Sequence, residues 1–153
     1  MKIKYYPEDD AREYGSIGFK FPINGRGVSN LGFFNVSRTT EDQAVSNYIN
    51  LLLTKKGERY MHPLYGIGIQ LYLFEPNTDL SVGEMRAEIQ RQSAYWLPYI
   101  VNHNIDIKTA EQMYDDRDNS VRISITFSVT ESGANQTIEI YQRGGITTAQ
   151  VLN

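Results

Sequence analysis

The sequence contains no cysteine. That absence removes a disulfide framework, thiolate metal ligands and a cysteine nucleophile together. It is compatible with folding in a reducing cytoplasm without proving it. Histidine is scarce as well, with only His62 and His103. Neither lies in a ligand or triad motif, so both read as structural side chains; no metal, cofactor or catalytic residue is expected. No apolar run approaches the ~20 residues that a membrane-spanning helix needs. The first residues, Met1 to Tyr6, lack a signal-peptide core and run straight into Glu8-Asp9-Asp10, so no export route is legible. Neither sign of charge dominates. A net charge of −3 and a sequence pI of about 5.4 do not mark a nucleic-acid or anionic-membrane binder. No internal repeat and no low-complexity segment is visible.

What remains is 153 residues, enough for one domain with a real core. Eleven of them are tyrosine, a side chain with an apolar ring and a polar tip that is favoured at interfaces. The densest punctuation lies between Leu51 and Asn77. A leucine-rich tail, Leu51-Leu52-Leu53-Thr54, meets Lys55-Lys56-Gly57, then Glu58-Arg59, His62-Pro63 and Gly66-Ile67-Gly68. Gly57 suits a left-handed helix C-cap, and Lys55 and Lys56 complement the negative end of a helix, a solvated helix terminus. Pro63 and Pro76 bar helix and push His62 and Glu75 towards extended backbone. Gly66-Ile67-Gly68 has no following Lys-Ser/Thr and is no phosphate loop.

Residues 1–39 show glycines and aromatics without a period. Gly18 to Ile23 alternates like a strand, interrupted by Pro22, and Asn24-Gly25 is a turn signal. The segment reads as a loop packed on its own core or, the reading taken here, as an extended arm that orders on a neighbour. Thr39 or Thr40 then caps a helix with Glu41 and Asp42 in its first turn. Ala44, Val45, Tyr48, Ile49, Leu52 and Leu53 form its apolar face, and it ends near Thr54. Ile69 to Phe74 reads as a short helix or turn. A third helix opens at Thr78, Asp79 or Ser81, the last with Glu84 at capping-box spacing, and places Val82, Met85, Ile89 and Trp96 on one side. Pro98 ends it, with Leu97 already leaving helical geometry.

From Ile100 the period changes to two. Ile100 to Gln112 carries Ile105 and Ile107 on one face. Val121 to Val129 alternates most clearly, and Thr137 to Gln142 turns Ile138 and Ile140 inward. Turns are expected at residues 115–119 and 132–135. Gly144-Gly145 releases a polar tail, 146–153. The expected fold is α+β: a helical N-terminal half packed on a C-terminal antiparallel sheet of three strands or more, with the domain spanning 40–145.

In order, Leu52-Leu53-Thr54, Gly57-Glu58-Arg59, Pro63, Tyr65-Gly66 and Leu73-Phe74-Glu75 resemble the sheath-initiator or wedge proteins of contractile-phage baseplates and their type VI secretion counterparts. The resemblance covers residues 39–143, and the Gly-Phe-x-Phe-Pro segment at 18–22 is also found in members. It implies a structural protein of the virion tail baseplate, assembled in the host cytoplasm, that links the wedge core bundle to the first ring of tail sheath. Its sheet would be like that of the sheath subunits and would start sheath assembly by strand augmentation. The implied partners are baseplate wedge proteins and tail sheath protein, with tail tube or hub proteins as further contacts; neither nucleic acid nor membrane is implied.

Many members carry Glu-Pro-Arg at the end of the long helix, where this chain has Leu97-Pro98-Tyr99. The ion-pairing residues are gone. Either Trp96, Leu97, Pro98 and Tyr99 make an apolar wedge contact instead, or the baseplate has diverged. Some members have also been described as lysozyme-like. Glycoside hydrolysis needs two carboxylates about 5–9 Å apart, and Glu58, Glu75, Asp79 and Asp106 show no pairing in sequence; Glu75 before Pro76 reads as a turn residue. A peptidoglycan hydrolase is therefore the alternative, not the reading taken. Glu58 and Arg59 are expected to bond internally or across a subunit boundary. The third strand carries little charge beyond Glu139 and Arg143, so Thr137, Glu139, Tyr141 and Arg143 are expected to form a sheath-facing edge.

Overall fold

A computed structural model describes residues 17–20, 36–72, 79–109, 121–130, 132–143 and 146–152. Glu75, Leu73-Phe74 and the turn at 115–119 lie outside the described residues, as do the arm segments 1–16 and 21–35. Two short strands, β1 (Gly18–Phe19) and β2 (Val36–Ser37), precede three helices, α1 (Thr40–Leu53), α2 (Ile69–Tyr72) and α3 (Asp79–Trp96). Four strands follow: β3 (Ile100–Thr109), β4 (Val121–Val129), β5 (Asn135–Arg143) and β6 (Ile146–Leu152). They form one antiparallel sheet in the order β3-β4-β5-β6. The fold is α+β, helices first and sheet second.

Helix α1 begins where the Thr39 hydroxyl accepts the amide of Asp42 at 3.1 Å, with Glu41 and Asp42 in the positive first turn. Ala44, Val45, Tyr48, Ile49, Leu51 and Leu52 are buried along it. From α3, Met85 and Ile89 meet them. The sheet supplies Ile123, Ile125, Phe127, Val129, Ile138 and Ile140, every second residue of β4 and β5. Tyr48 and Phe127 join the layers edge-to-face with ring centroids 5.0 Å apart.

Strand β3 contains a β-bulge. Asn102 pairs with Phe127 and Asn104 with Thr126, leaving His103 as the extra residue. The bulge shifts the side-chain phase by one. Ile100 and Asn102 face the core before it; Ile105 and Ile107 face the core after it. An unbroken period of two would have put Ile100 and Ile105 on opposite faces.

Three expectations need correction. The expected tail, 146–153, is not free over its described residues: Ile146–Leu152 is β6, paired with β5 along that length. Arg143 stands opposite Ile146, so only Gly144 and Gly145 separate the paired ends, and Gly-Gly is a favoured two-residue hairpin sequence. Nor is 1–39 wholly an undocked arm. Gly18 pairs with Ser37 and Phe19 with Val36, the Ser37 hydroxyl donates to Gln43, and Lys20 pairs with Asp42 at 2.6 Å. Finally, Gly57 does not cap α1. Thr54 ends the helix in extended backbone, its hydroxyl donating to the Asn50 carbonyl at 2.6 Å. Gly57, at φ +89°, serves a turn in which the Glu58 amide donates to the Lys55 carbonyl at 3.2 Å.

Candidate assembly surfaces

The chain from Thr54 to Gly68 folds back against the end of α1. The Gly57 amide donates to the Pro63 carbonyl at 2.9 Å, closing the loop, and the Ile67 amide donates to the Leu51 carbonyl at 3.1 Å, tying it to the helix. Gly66 makes that return possible. Its φ is +107°, and a Cβ there would stand 2.3 Å from the Thr54 carbonyl oxygen. The motif glycines thus serve the path of the loop, and Pro63 stands exposed on it.

Glu58 and Arg59 act separately, as adjacent residues must. The Glu58 carboxylate accepts the Lys55 amide at 2.9 Å. The Arg59 guanidinium lies 3.7 Å from the centroid of the Tyr65 ring, a cation–π contact. Burial pushes the Tyr65 phenol up, and the Arg59 charge offsets part of that. Trp96 is met edge-on by Tyr65 at 5.3 Å, by His62 at 5.5 Å and by Tyr95 at 5.0 Å. Four rings thus gather where the loop meets the end of α3.

Lys56 is exposed, as expected of a solvated helix end, but it is also ion-paired. It pairs with Glu88 on α3 at 2.5 Å, and Arg91 meets the same carboxylate at 2.8 Å. Gln92 donates to it at 3.0 Å. Partial burial pushes the Glu88 carboxyl up, but hydrogen bonds from Lys56, Arg91 and Gln92 and the Lys56 charge outweigh it and hold the group down at about 2. This cluster fastens the loop to α3.

The expected wedge-contact residues divide. Leu97 is 5% exposed and belongs to the core. Tyr99 is half-buried and braced: its hydroxyl accepts from Asn47 at 2.9 Å, and its carbonyl accepts the Thr130 amide at 2.9 Å. Burial pushes the Tyr99 phenol up, partly countered by the Asn47 bond. Trp96 is half-covered by its aromatic neighbours, and Pro98 is exposed. Leu97 is therefore a core residue rather than an apolar partner surface, and Tyr99 is a half-buried brace against α1. The open apolar surface lies one turn earlier and across the loop. Met61 is 79% exposed, Leu64 73% and Tyr95 75%, and together with His62, Pro63 and Trp96 they line a groove of about 470 Å³. Lys56 and Arg91 stand at its side. Sequence reading missed this groove because its residues come from an irregular loop and a helix end, which share no period. The available signal was Tyr60-Met61 next to His62-Pro63, apolar side chains in a segment that could not bury them periodically.

The second surface is the sheet rim. Thr137, Glu139, Tyr141 and Arg143 stand opposite Leu152, Gln150, Thr148 and Ile146. Strand β5 is thus an inner strand in the single chain, and the expected edge passes to β6. Along β6, Ala149 is buried under the sheet's core face, while Val151 and Leu152 are 37% and 45% exposed. The opposite rim, β3, is interrupted by the bulge, carries the Asp106–Lys108 ion pair at 3.3 Å, and forms a polar cleft of about 220 Å³ with Arg86 and Gln90 of α3.

His103 bonds the Ser128 hydroxyl at 2.8 Å through Nε2. Among the described residues no group of three or more His, Cys, Asp or Glu side chains is placed to hold a metal ion. Of the carboxylates weighed for hydrolysis, Glu58 sits on the Lys55 amide and Asp106 beside Lys108, on separate elements.

Known proteins resemble this architecture. A protein in the baseplate of the anti-feeding prophage matches with a TM-score of 0.57 and 21% identity over 73% of this chain and 83% of its own. A protein from Geobacter sulfurreducens, described as a candidate tail lysozyme, matches with a TM-score of 0.55 and 18% identity over 75% of this chain and 93% of its own. At such identities these likenesses speak to fold. Among curated protein sequences none matches significantly. The sequence model of the family described as baseplate wedge protein gp25 matches residues 40–134, more than half of the chain, from the start of α1 to the β4–β5 turn. The chain belongs to that family and is a structural component of a phage-tail baseplate.

Proposed function

We propose that this protein joins the baseplate wedge to the first ring of tail sheath and starts sheath assembly by accepting a strand. The observation that carries this reading is the β6 rim. From Ile146 to Leu152 it holds no charge, no proline and no glycine, and its pairing with β5 runs without a bulge. Natural sheets usually blunt an exposed edge with such features, so an unblunted one suits pairing with another chain. The wedge side of the molecule is the groove at Met61, Leu64 and Tyr95. Assembly takes place in the host cytoplasm, and the protein remains in the virion. It has no catalytic role in this reading, and tail tube or hub proteins are secondary contacts.

The test is proline at Gln150, an exposed outer-face position of β6. Proline there removes the amide that pairs β6 with Glu139 of β5, which unseats the rim strand without changing a core-face side chain. Particles carrying Gln150→Pro should contain complete wedges and tubes without sheath. Normal sheath length on such particles would overturn strand acceptance at β6.

A further inference from the structure

Strand β6 can pair with itself. Each residue of an antiparallel partner faces a residue whose number, added to its own, gives a constant. Centred on Ala149, the seven residues of β6 match a second copy along their whole length. Position 146 falls opposite 152. Thr147 falls opposite Val151, two β-branched side chains of nearly equal shape. Thr148 falls opposite Gln150, polar against polar, and Ala149 opposite Ala149. Thr147, Ala149 and Val151 share the core face of the sheet, because their partners in β5 are Gln142, Ile140 and Ile138. Thr148 and Gln150 share the outer face with Tyr141 and Glu139. The faces therefore stay matched across the join: core face meets core face at Thr147, Ala149 and Val151, and outer face meets outer face at Thr148 and Gln150. No like charges meet, since the strand has none. Val151, 37% exposed on the core face, gains cover from Thr147 of the second copy.

We infer that, off the baseplate, the chain forms a two-fold dimer in which the β6 strands of two copies pair antiparallel and join two four-stranded sheets into one. The partner is a second copy of this chain. The interface is isologous, so it uses up the open edge of both copies. Growth stops there, because the remaining rims are the β3 strands, each broken by its bulge, charged at Asp106 and Lys108, and flanked by α3. Pairing of seven residues a side buries little area, so the contact is weak and exchangeable. This inference rests on β6 being the strand-accepting edge. The second copy then covers the edge until the assembling strand replaces it, which keeps an unprotected neutral edge from pairing indiscriminately.

Sedimentation velocity of the full chain, from micromolar to submillimolar, tests the dimer and its register together. The wild type should pass from monomer to dimer across that range and no further. Thr148→Lys with Gln150→Lys places like charges opposite each other at two symmetric positions and should raise the dimer dissociation constant roughly tenfold or more. Thr148→Glu with Gln150→Lys places opposite charges there and should keep or strengthen the dimer. Both positions are exposed on the outer face, and circular dichroism confirms that each variant folds. A wild type that stays monomeric, a dimer indifferent to both variants, or one lost equally in both overturns the inference. None of these results bears on strand acceptance in the particle, which the Gln150→Pro virions judge separately.

Discussion

At the scale of single residues, Glu88 shows how charge fixes an irregular loop. Its carboxylate is 13% exposed and meets two cations and an amide. Exposed ion pairs contribute little, whereas a shielded carboxylate with several donors contributes measurably. Its folded pKa of about 2 lies below the ordinary 4.5. The stabilisation is therefore fully present above the ordinary value and is lost as pH falls towards about 2. Its size is on the order of 1–3 kcal/mol. Urea unfolding of the wild type between neutral pH and pH about 2 should show that loss. Glu88→Gln should begin less stable at neutral pH and lose less on acidification. Parallel pH curves for the two proteins would mean that Glu88 does not carry the effect. None of this was legible in sequence. Lys56 and Glu88 lie far apart along the chain, and only the folding back of the loop around Gly66 brings them together.

At the scale of elements, regular periods were readable and departures from them were not. Helix α1 follows directly from Thr39 and the spacing of Ala44, Val45, Tyr48, Ile49 and Leu52. Strand β4 follows from five alternating apolar residues. Strand β6 reads as a tail in sequence because Thr147, Ala149 and Val151 make only a faintly apolar face, and Gly144-Gly145 reads equally well as hinge or hairpin. The bulge at His103 left no composition signal, yet it decides the direction of Asn102. That side chain points inward and links three elements. The Tyr48 hydroxyl of α1 donates to Asn102 Oδ1 at 2.7 Å, and Asn102 Nδ2 donates to Ser93 Oγ of α3 at 2.7 Å. The Ser93 hydroxyl donates to the Ile89 carbonyl at 2.8 Å. Burial pushes the Tyr48 phenol up to about 12, against the pull of Ser93 and Asn102. Tyr48→Phe would leave Asn102 Oδ1 without its donor in a partly buried site, at a cost of about 1 kcal/mol. Denaturant melts should show this loss. In an Asn102→Ala background, where the orphaned acceptor is absent, the same substitution should cost clearly less. Equal costs in both backgrounds would remove the network from the explanation.

At the scale of the whole molecule, two surfaces lie on different elements, the groove between the 54–68 loop and α3 and the rim at β6. The proposed joining of wedge to sheath needs them to be separable, and their residues permit that. Tyr95 and Leu64 are exposed, make the groove, and contribute little to the core. Leu97, two residues from Tyr95, is buried instead. Truncating an aromatic anchor at an interface typically costs ~2 kcal/mol or more in binding, about a thirtyfold loss. Tyr95→Ala with Leu64→Ser should therefore leave the melting temperature close to wild type and lower incorporation into wedges by that order. Leu97→Ala should do the reverse, costing about 2–5 kcal/mol of folding stability through the cavity it opens. The β6 dimer should be unaffected by the groove variant, because no residue of β6 is changed. Pull-down of wedge intermediates with folded groove variant decides the matter: incorporation at the wild-type level would place the wedge contact elsewhere, and a collapse of stability in that variant would make Tyr95 and Leu64 part of the fold rather than of a docking surface.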